Sequence, residues 1–432
     1  MHSSLKAVLA TVMTLALVLA VAPASTASAA VSSPWVTASS TSSVTLDWPS
    51  KSGVGSYRVF YATSYGGVLK GSARSKVAGS SRLKVTGLKA GQMYCFQVAR
   101  RSGANRSQRY CHPTMERANR SSATKVSVAT FNLCGVASGC KAWSSTRVKA
   151  IVDRIRSADA DVVNIQEASH RIDDMTSRLE RLGYALGSAS TTEAVFYRGS
   201  RLAPVVSTVT ECDEQAITYP GDTTGWDPAE GEHVDGTYAW YWNEDSGTWY
   251  RYGEVCGPVE VPEAGRFDLG HDATAAWAEL TVKSSRKPYV FVSAHLSSGK
   301  SSGDDRQRDT ETRRLISKAE KVAGGPRVVY AGDFNSNRSR ADDTPRKRFE
   351  KAGITDAYDR SSTYSHAYLN SYNGWKTTPN KGVRYGDHVD HVFVRKAYGV
   401  SSWAVVAKMK GSRYATPIAS DHNLVRATVW LS

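Results

Sequence analysis

Between residues 327 and 337 the chain reads RVVYAGDFNSN. Four strand-forming residues, Val328 to Ala331, run into Gly332, and a carboxylate and an amide then follow two positions apart, at Asp333 and Asn335. Alone, such a stretch is ordinary turn chemistry, because Asp and Asn accept local backbone hydrogen bonds. Other apolar runs are punctuated in the same way. VATFN ends on Asn132, VVNIQE on Glu167 and VFVSAHL near His295, whereas Asp390 opens DHVFV and Asp421 and His422 precede the final run NLVRATVWL. Taken singly, Asn132 reads as a turn residue, Glu167 as a surface acid and His295 as a core histidine. Taken together, they place ionisable or amide groups at the ends of six strands. Strand ends in a layered sheet can converge on one rim, and burying so many charges there is costly without a shared metal or substrate. His391 is the contrasting case: next to Asp390 on a strand, it must point to the opposite face, which gives it a structural role.

The elements that must position these groups follow from periodicity. From Val126 onward, apolar strands (KVSVATFN, DVVNIQE, EAVFYR, AWAELTV, YVFVSAHL, RVVYAGDFN, HVDHVFVR, NLVRATVWL) alternate with helical patterns. STRVKAIVDRI puts Val148, Ile151, Val152 and Ile155 on one helical face, with Ser145 or Thr146 as N-cap. DDMTSRLERLG, TETRRLISKAEKV and TPRKRFEKAG give three more helices; Gly324, Gly325 and Pro326 stop the third, and Pro345 starts the fourth. Many strands with helices outside them predict a four-layered α/β (α+β) sandwich of two mostly antiparallel sheets flanked by helices. The strand ends of EAVFYR, Tyr197 and Arg198, read as plain termini.

Residues 31–113 show a different grammar: short alternating runs (SVTLDWP, YRVFYATS, RLKVTGL, MYCFQVARR) split by Gly/Ser turns predict an N-terminal all-β, immunoglobulin-like sandwich. Pro34, Trp48, and Leu88 with Tyr94 in a tyrosine-corner arrangement make this segment resemble a fibronectin type III domain. Such a resemblance implies a binding or spacing module. The polar stretch 114–124 reads as a linker, and residues 125–432 as the chemistry-bearing domain.

The ordered motifs of that domain, FN, QE, the His of AHL, GDFN, VDHVF and SDH, resemble those of the endonuclease/exonuclease/phosphatase superfamily. This group includes pancreatic-type deoxyribonucleases, apurinic endonucleases, bacterial sphingomyelinases and inositol-phosphate phosphatases. The resemblance implies a hydrolase of phosphate esters. Its hard oxygen donors suit Mg²⁺, with Mn²⁺ as second choice. Glu167 is then the leading metal ligand, with Asp421 and Asn132 completing the set. Asp333 would orient or deprotonate the attacking water, with Asn335 fixing that geometry. His295 would donate to the phosphoryl group. His422 would contact a non-bridging oxygen or move a proton, with Asp390 holding its imidazole. No residue can be assigned from sequence to the tyrosine that some members place against the phosphate.

Charge is distributed in zones. Residues 31–120 hold 14 Lys/Arg against Asp47 and Glu116, while residues 211–264 hold 13 acidic side chains against Arg251 alone. The front module is therefore a candidate to bind polyanions or an anionic surface. The acidic span reads as an insertion of about residues 211–264, within which TYAWYWNEDSGTWYRYG predicts an aromatic β-hairpin, read first as packing on the body, with stacking on bases and dipping into a membrane interface as alternatives that its acidity disfavours. Residues 1–30 read as a secretory signal with a basic start, an apolar run from Ala7 to Ala22 and small residues through Ala30, which implies a secreted, extracellular protein. Its six cysteines suit an oxidising compartment, and order along the chain pairs Cys95 with Cys111, Cys134 with Cys140, and Cys212 with Cys256. No later segment could span a bilayer, and a monomer is expected. The leading function is a secreted metal-dependent nuclease acting on extracellular DNA or RNA. The alternatives are a phospholipid or sphingomyelin phosphodiesterase, a phosphomonoesterase, or an inactive polyanion-binding protein.

Overall fold

The computed structural model describes residues 30–120, 124–218, 239–243, 248–379 and 384–431, apart from 136 and 138, and only the backbone within 210–258. The signal-like segment 1–29 lies outside the described residues. No described helix is long and apolar enough to cross a membrane.

Two sheets face each other. The first has ten strands, in the order Tyr184–Ala189, Ala194–Arg198, Val162–Gln166, Thr124–Asn132, Leu424–Leu431, Gly399–Val406, Ser361–Ser365, Trp35–Ser39, Ser43–Asp47 and Arg82–Thr86. The second runs Leu202–Pro204, Ala273–Val282, Lys287–His295, Val328–Asp333, Asp390–Arg395 and Ile354–Asp356, with Ala264–Gly270 alongside Ala273–Val282. Pairing is mostly antiparallel, with parallel exceptions that include Thr124–Asn132 beside Val162–Gln166 and Lys287–His295 beside Val328–Asp333.

Strands that are apolar on both faces explain the layering, because each must be covered twice. Val163 and Ile165 face outward onto Ile151 and Ile155 of helix Ser145–Ala158 and Met175 and Leu179 of helix Ile172–Glu180. Val290, Val292 and Tyr330 face Leu315 and Ala319 of helix Ser302–Val322 and Phe349 of helix Thr344–Lys351. Between the sheets, Val128, Val162, Phe291, Val329 and Val392 share one cluster. Helix, sheet, sheet and helix are therefore the four layers, as the alternation of strands and helices predicts.

Two helix starts differ from the sequence reading. Ser144, not Ser145 or Thr146, caps the first helix by accepting from Arg147 N. The third helix begins eight residues before TETRRL, at Ser302, with Ser301 and Asp304 forming a capping box. That early half turns Asp305, Arg308, Glu311 and Thr312 inward, so no apolar stripe announces it.

At the front, Arg74–Ala78, Tyr57–Ala62, Met93–Arg100 and Tyr110–Pro113 form a four-stranded sheet opposite the three N-terminal strands of the ten-stranded sheet. Trp48 is buried against Tyr57, and the Tyr94 hydroxyl accepts from Lys89 N at 3.0 Å. This β-rich module is not strung ahead on a free linker. Ala38 pairs with Thr363, so its strands continue the main sheet, and Asn119 donates to Arg360 O (2.9 Å) and Ser362 Oγ (3.0 Å). Disulfides join Cys95 to Cys111 and Cys134 to Cys140. In the insertion, Cys212 stands opposite Cys256 in backbone register and Asn243 opposite Thr248, as a hairpin requires. The side chains of that cysteine pair and of the aromatic hairpin lie outside the described residues.

Candidate active site

Register is what gathers the site. In the second sheet His295 stands beside Asp333, and Asp333 beside Asp390, so three neighbouring strands end together. Gly332 makes this approach possible: a Cβ there would lie 1.9 Å from Ala294 O, so any side chain would push the two strands apart. In the first sheet Asn132 pairs with Gln166, which brings Glu167 to the same rim, and Ser420 Oγ donates to Asn132 O (2.7 Å) and so ties down the segment carrying Asp421 and His422. Glu167 and Asn335 both hold positive φ, at 52° and 49°. Non-glycine residues seldom adopt this left-handed conformation, and it is concentrated at sites where function requires it.

The polar contacts form one connected set. Asn132 Nδ2 donates to Glu167 Oε1 (2.8 Å) and Asp333 Oδ2 (3.1 Å), while its Oδ1 accepts from Cys134 N (2.9 Å). The amide oxygen expected as a metal ligand accepts a backbone hydrogen bond here, and the amide nitrogen orients two carboxylates. Asn335 N donates to Asp333 Oδ1 (2.9 Å), and Asn335 Nδ2 to Leu296 O (2.8 Å) beside His295 Nε2 (3.3 Å). His295 Nε2 lies 3.7 Å from Glu167 Oε1 and 3.8 Å from Asp333 Oδ2. His422 Nδ1 lies 2.9 Å from Asp390 Oδ2, which leaves Nε2 aimed at Asp333 Oδ2, 3.6 Å away. All eight residues singled out by sequence meet at this rim.

Burial and charge set the protonation states. Burial pulls the His422 imidazole down, but Asp390 and Asp333 outweigh it and push it up to about 10, so the ring is an imidazolium at neutral pH. Burial raises the Asp390 carboxyl, and the His422 charge opposes that rise. Asp421 is also raised, first by burial and then by the charge of Glu167, against the pull of His422. The two carboxylates at the mouth of the cleft offer the donor chemistry of a cation site: hard oxygens with room for water. Glu167 and Asp421 fit such an ion.

The cleft has a volume of ≈ 1080 Å³ and runs from Glu167 and Asp421 past His295 and Asn335 to Lys300 and Arg340. Sequence reasoning missed three contributors. Tyr372 is half-exposed, with its ring edge-on to His422 at 5.1 Å; it sits on an irregular loop that periodicity cannot read. Glu193 is buried behind His295, 4.0 Å from its Nδ1, and accepts from Ser190 Oγ. Its place just before strand Ala194–Arg198 is the same strand-end signal and could have found it. Arg147 is buried and gathers Ala419 O (3.0 Å), Lys141 O (2.6 Å) and Cys134 O (2.8 Å), fastening the loops on either side of the cation site. His391 points away, with Nδ1 2.6 Å from Asp356 Oδ2 and Nε2 3.0 Å from Ser336 O, and Arg198 pairs with Asp159 far from the rim.

No curated protein matches the chain. Solved structures with similar folds include an endonuclease/exonuclease/phosphatase family protein from Bacteroides thetaiotaomicron (18% identity, 71% of this chain and 97% of that one, TM-score 0.46). A mannosyl-6-phosphatase of the same organism (17%, 71% and 100%, 0.44) and D. rerio TDP2 complexed with single-strand DNA product (16%, 71% and 99%, 0.42) are further examples. At these identities the likenesses carry no argument about substrate. The family model is of another order, since it matches residues 129–422, the whole span over which the rim is assembled. The chain belongs to the endonuclease/exonuclease/phosphatase family.

Proposed function

We propose that this protein is a secreted, Mg²⁺-dependent phosphodiesterase that cleaves extracellular DNA or RNA. The observation that carries the reading is the single rim on which Glu167 and Asp421 face Asp333, Asn335, His295 and His422 across an open polar cleft. Glu167 and Asp421 would hold the ion, Mg²⁺ or Mn²⁺, and Asn132 would keep Glu167 and Asp333 aligned. Once bound, the ion supplies positive charge to the phosphoryl oxygens. Asp333, held by Asn335 N, orients the attacking water and takes its proton. His422, charged by its carboxylate neighbours, and His295 with the Asn335 amide donate to the phosphoryl oxygens as negative charge grows there.

Nucleic acid is favoured over lipid for two reasons. The cleft ends in Lys300 and Arg340, two cations placed to meet further phosphates of a polyanion. The front module, with 14 basic residues against two acidic ones over residues 31–120, supplies sequence-independent attraction to phosphates. The Tyr94 hydroxyl bond to Lys89 N and the buried Trp48 support reading that module as a fibronectin type III domain, spanning residues 31–113 with residues 114–124 as its connection. Secretion rests on the signal-like segment and the two disulfides.

The test is the purified chain with Mg²⁺ on plasmid DNA, RNA, sphingomyelin vesicles and a phosphomonoester in parallel. Cleavage of DNA or RNA, weakening steeply with added salt, is the expected result. Turnover confined to the lipid or the monoester would replace the reading with that activity.

A further inference from the structure

We propose that the N-terminal β-rich module positions the catalytic rim, with His112 as its principal positioning residue, acting on Asp390 and on the loop segments of residues 366–379 and 384–389. The module meets the main domain through a buried aromatic cluster. The His112 ring is fully buried, 5.1 Å from Tyr358 and 5.1 Å from Tyr364, and the Tyr110 and Tyr358 hydroxyls hydrogen-bond to each other. Tyr358 in turn packs on Trp403 (4.8 Å) and His388 (4.9 Å), and His388 on Trp403 (4.5 Å).

Both chain neighbourhoods of Asp390 hang on this cluster. Two residues before it, His388 packs within the cluster and reaches Leu369 O through Nε2 (3.0 Å). One residue after it, His391 is held by Asp356, which also accepts from Tyr358 N (2.9 Å) and so starts the short helix carrying that tyrosine. Asp390 in turn holds His422.

The loop is gripped at both limbs. At its start Trp35 of the module packs at a tilt against Tyr368 (4.6 Å between ring centroids); at its end Cys111 N donates to Arg384 O (2.8 Å), and the Arg384 guanidinium lies 3.7 Å over Tyr65. Just after the first anchor the loop delivers Asn370 and Tyr372 to the cleft, and just after the second Asp387 and Val389. It also straps the opposite strand: Asn373 Nδ2 donates to Ser420 O (3.0 Å) and Asn423 N to Ser371 O (2.6 Å), while Ser371 Oγ accepts from Val389 N (2.8 Å) and Asp390 N (3.1 Å). A spacer would need none of this. Closely packed interiors transmit a displaced ring rather than absorb it, so loosening His112 displaces the pair that faces the phosphate.

The kinetic arm rests on the phosphodiesterase reading; the proteolytic arm does not. In the full chain, His112→Ala is expected to lower kcat by roughly ten- to a hundredfold, the scale of an ångström misplacement. KM should stay within about twofold. The same variant should speed tryptic cutting after Lys376 and Arg384, and His112→Phe, which restores a neutral ring, should reverse both changes. If His112→Ala does not fold, Trp35→Ala carries the same two readouts through Tyr368. Unchanged kcat together with unchanged loop cutting overturns the proposal, and so does a rise in KM alone. A wild-type chain inactive on phosphodiesters would defeat the functional reading, while the cutting pattern would still decide this one.

Discussion

Asp333 is where the most contacts of the rim cross: Asn132, Asn335, His295 and His422 all lie within reach of its two oxygens. Replacing it by Asn keeps the shape and removes the proton acceptor, so Asp333→Asn should lower turnover by at least roughly a hundredfold with the fold intact. His422→Ala removes a buried cation opposite the phosphate and should cost a similar factor. Steady-state kinetics with circular dichroism as the folding control measure both, and near-normal turnover in either variant would remove that residue from the mechanism. These groups were legible in sequence because polar residues closing apolar strands stand out against period-two patterning. Tyr372 was not, because its position depends on a loop folding back onto His422. The direction in which the Asn132 amide points was not legible either, because it is set by Cys134 N.

Among the elements, the strands were read more easily than the helix ends. Apolar runs that are buried on both faces announce themselves, whereas helix Ser302–Val322 hides half its length behind inward Asp305, Arg308 and Glu311. The short helix Ala357–Arg360 and the aromatic cluster around it also escaped, since four residues carry no period. This region gives the stability its pH dependence. His112 and His388 are held neutral, chiefly by burial, at about 3 against an ordinary 6.5. The unfolded chain takes up their protons first, so stability should fall as pH drops from about 6.5 toward 3, by ~1.4 kcal/mol per pH unit for each group within that window. His391 behaves oppositely: burial lowers it, but Asp356 outweighs that and raises it to about 9. Its contribution is complete below 6.5 and is lost as pH rises through 9. Thermal denaturation across pH should therefore peak near neutrality, with a shallower acid limb in His112→Phe. An acid limb identical to that of the wild type would show that His112 is not held neutral.

For the whole molecule, the sequence divides the chain into a β-module and an α/β domain, and composition does separate them. What it does not carry is their fusion. The contact rests on Ala38 meeting Thr363, His112 entering between two tyrosines and Asn119 reaching three backbone or hydroxyl oxygens of the main domain. Each is a long-range coincidence of residues that look unremarkable in their own segments. The insertion springs from the other end of the sandwich, where Val205 N donates to Glu279 O and Glu263 N to Val205 O. The basic module and the root of the acidic insertion thus flank opposite ends of the body. The most direct test of the cleft's chemistry is plasmid cleavage by the full chain, first in excess chelator and then after Mg²⁺ is restored, with Glu167→Gln run beside the wild type. The account predicts no cleavage in chelator, full recovery with Mg²⁺ in the wild type and little or none in the variant. Undiminished cleavage in chelator, or by Glu167→Gln, would contradict it.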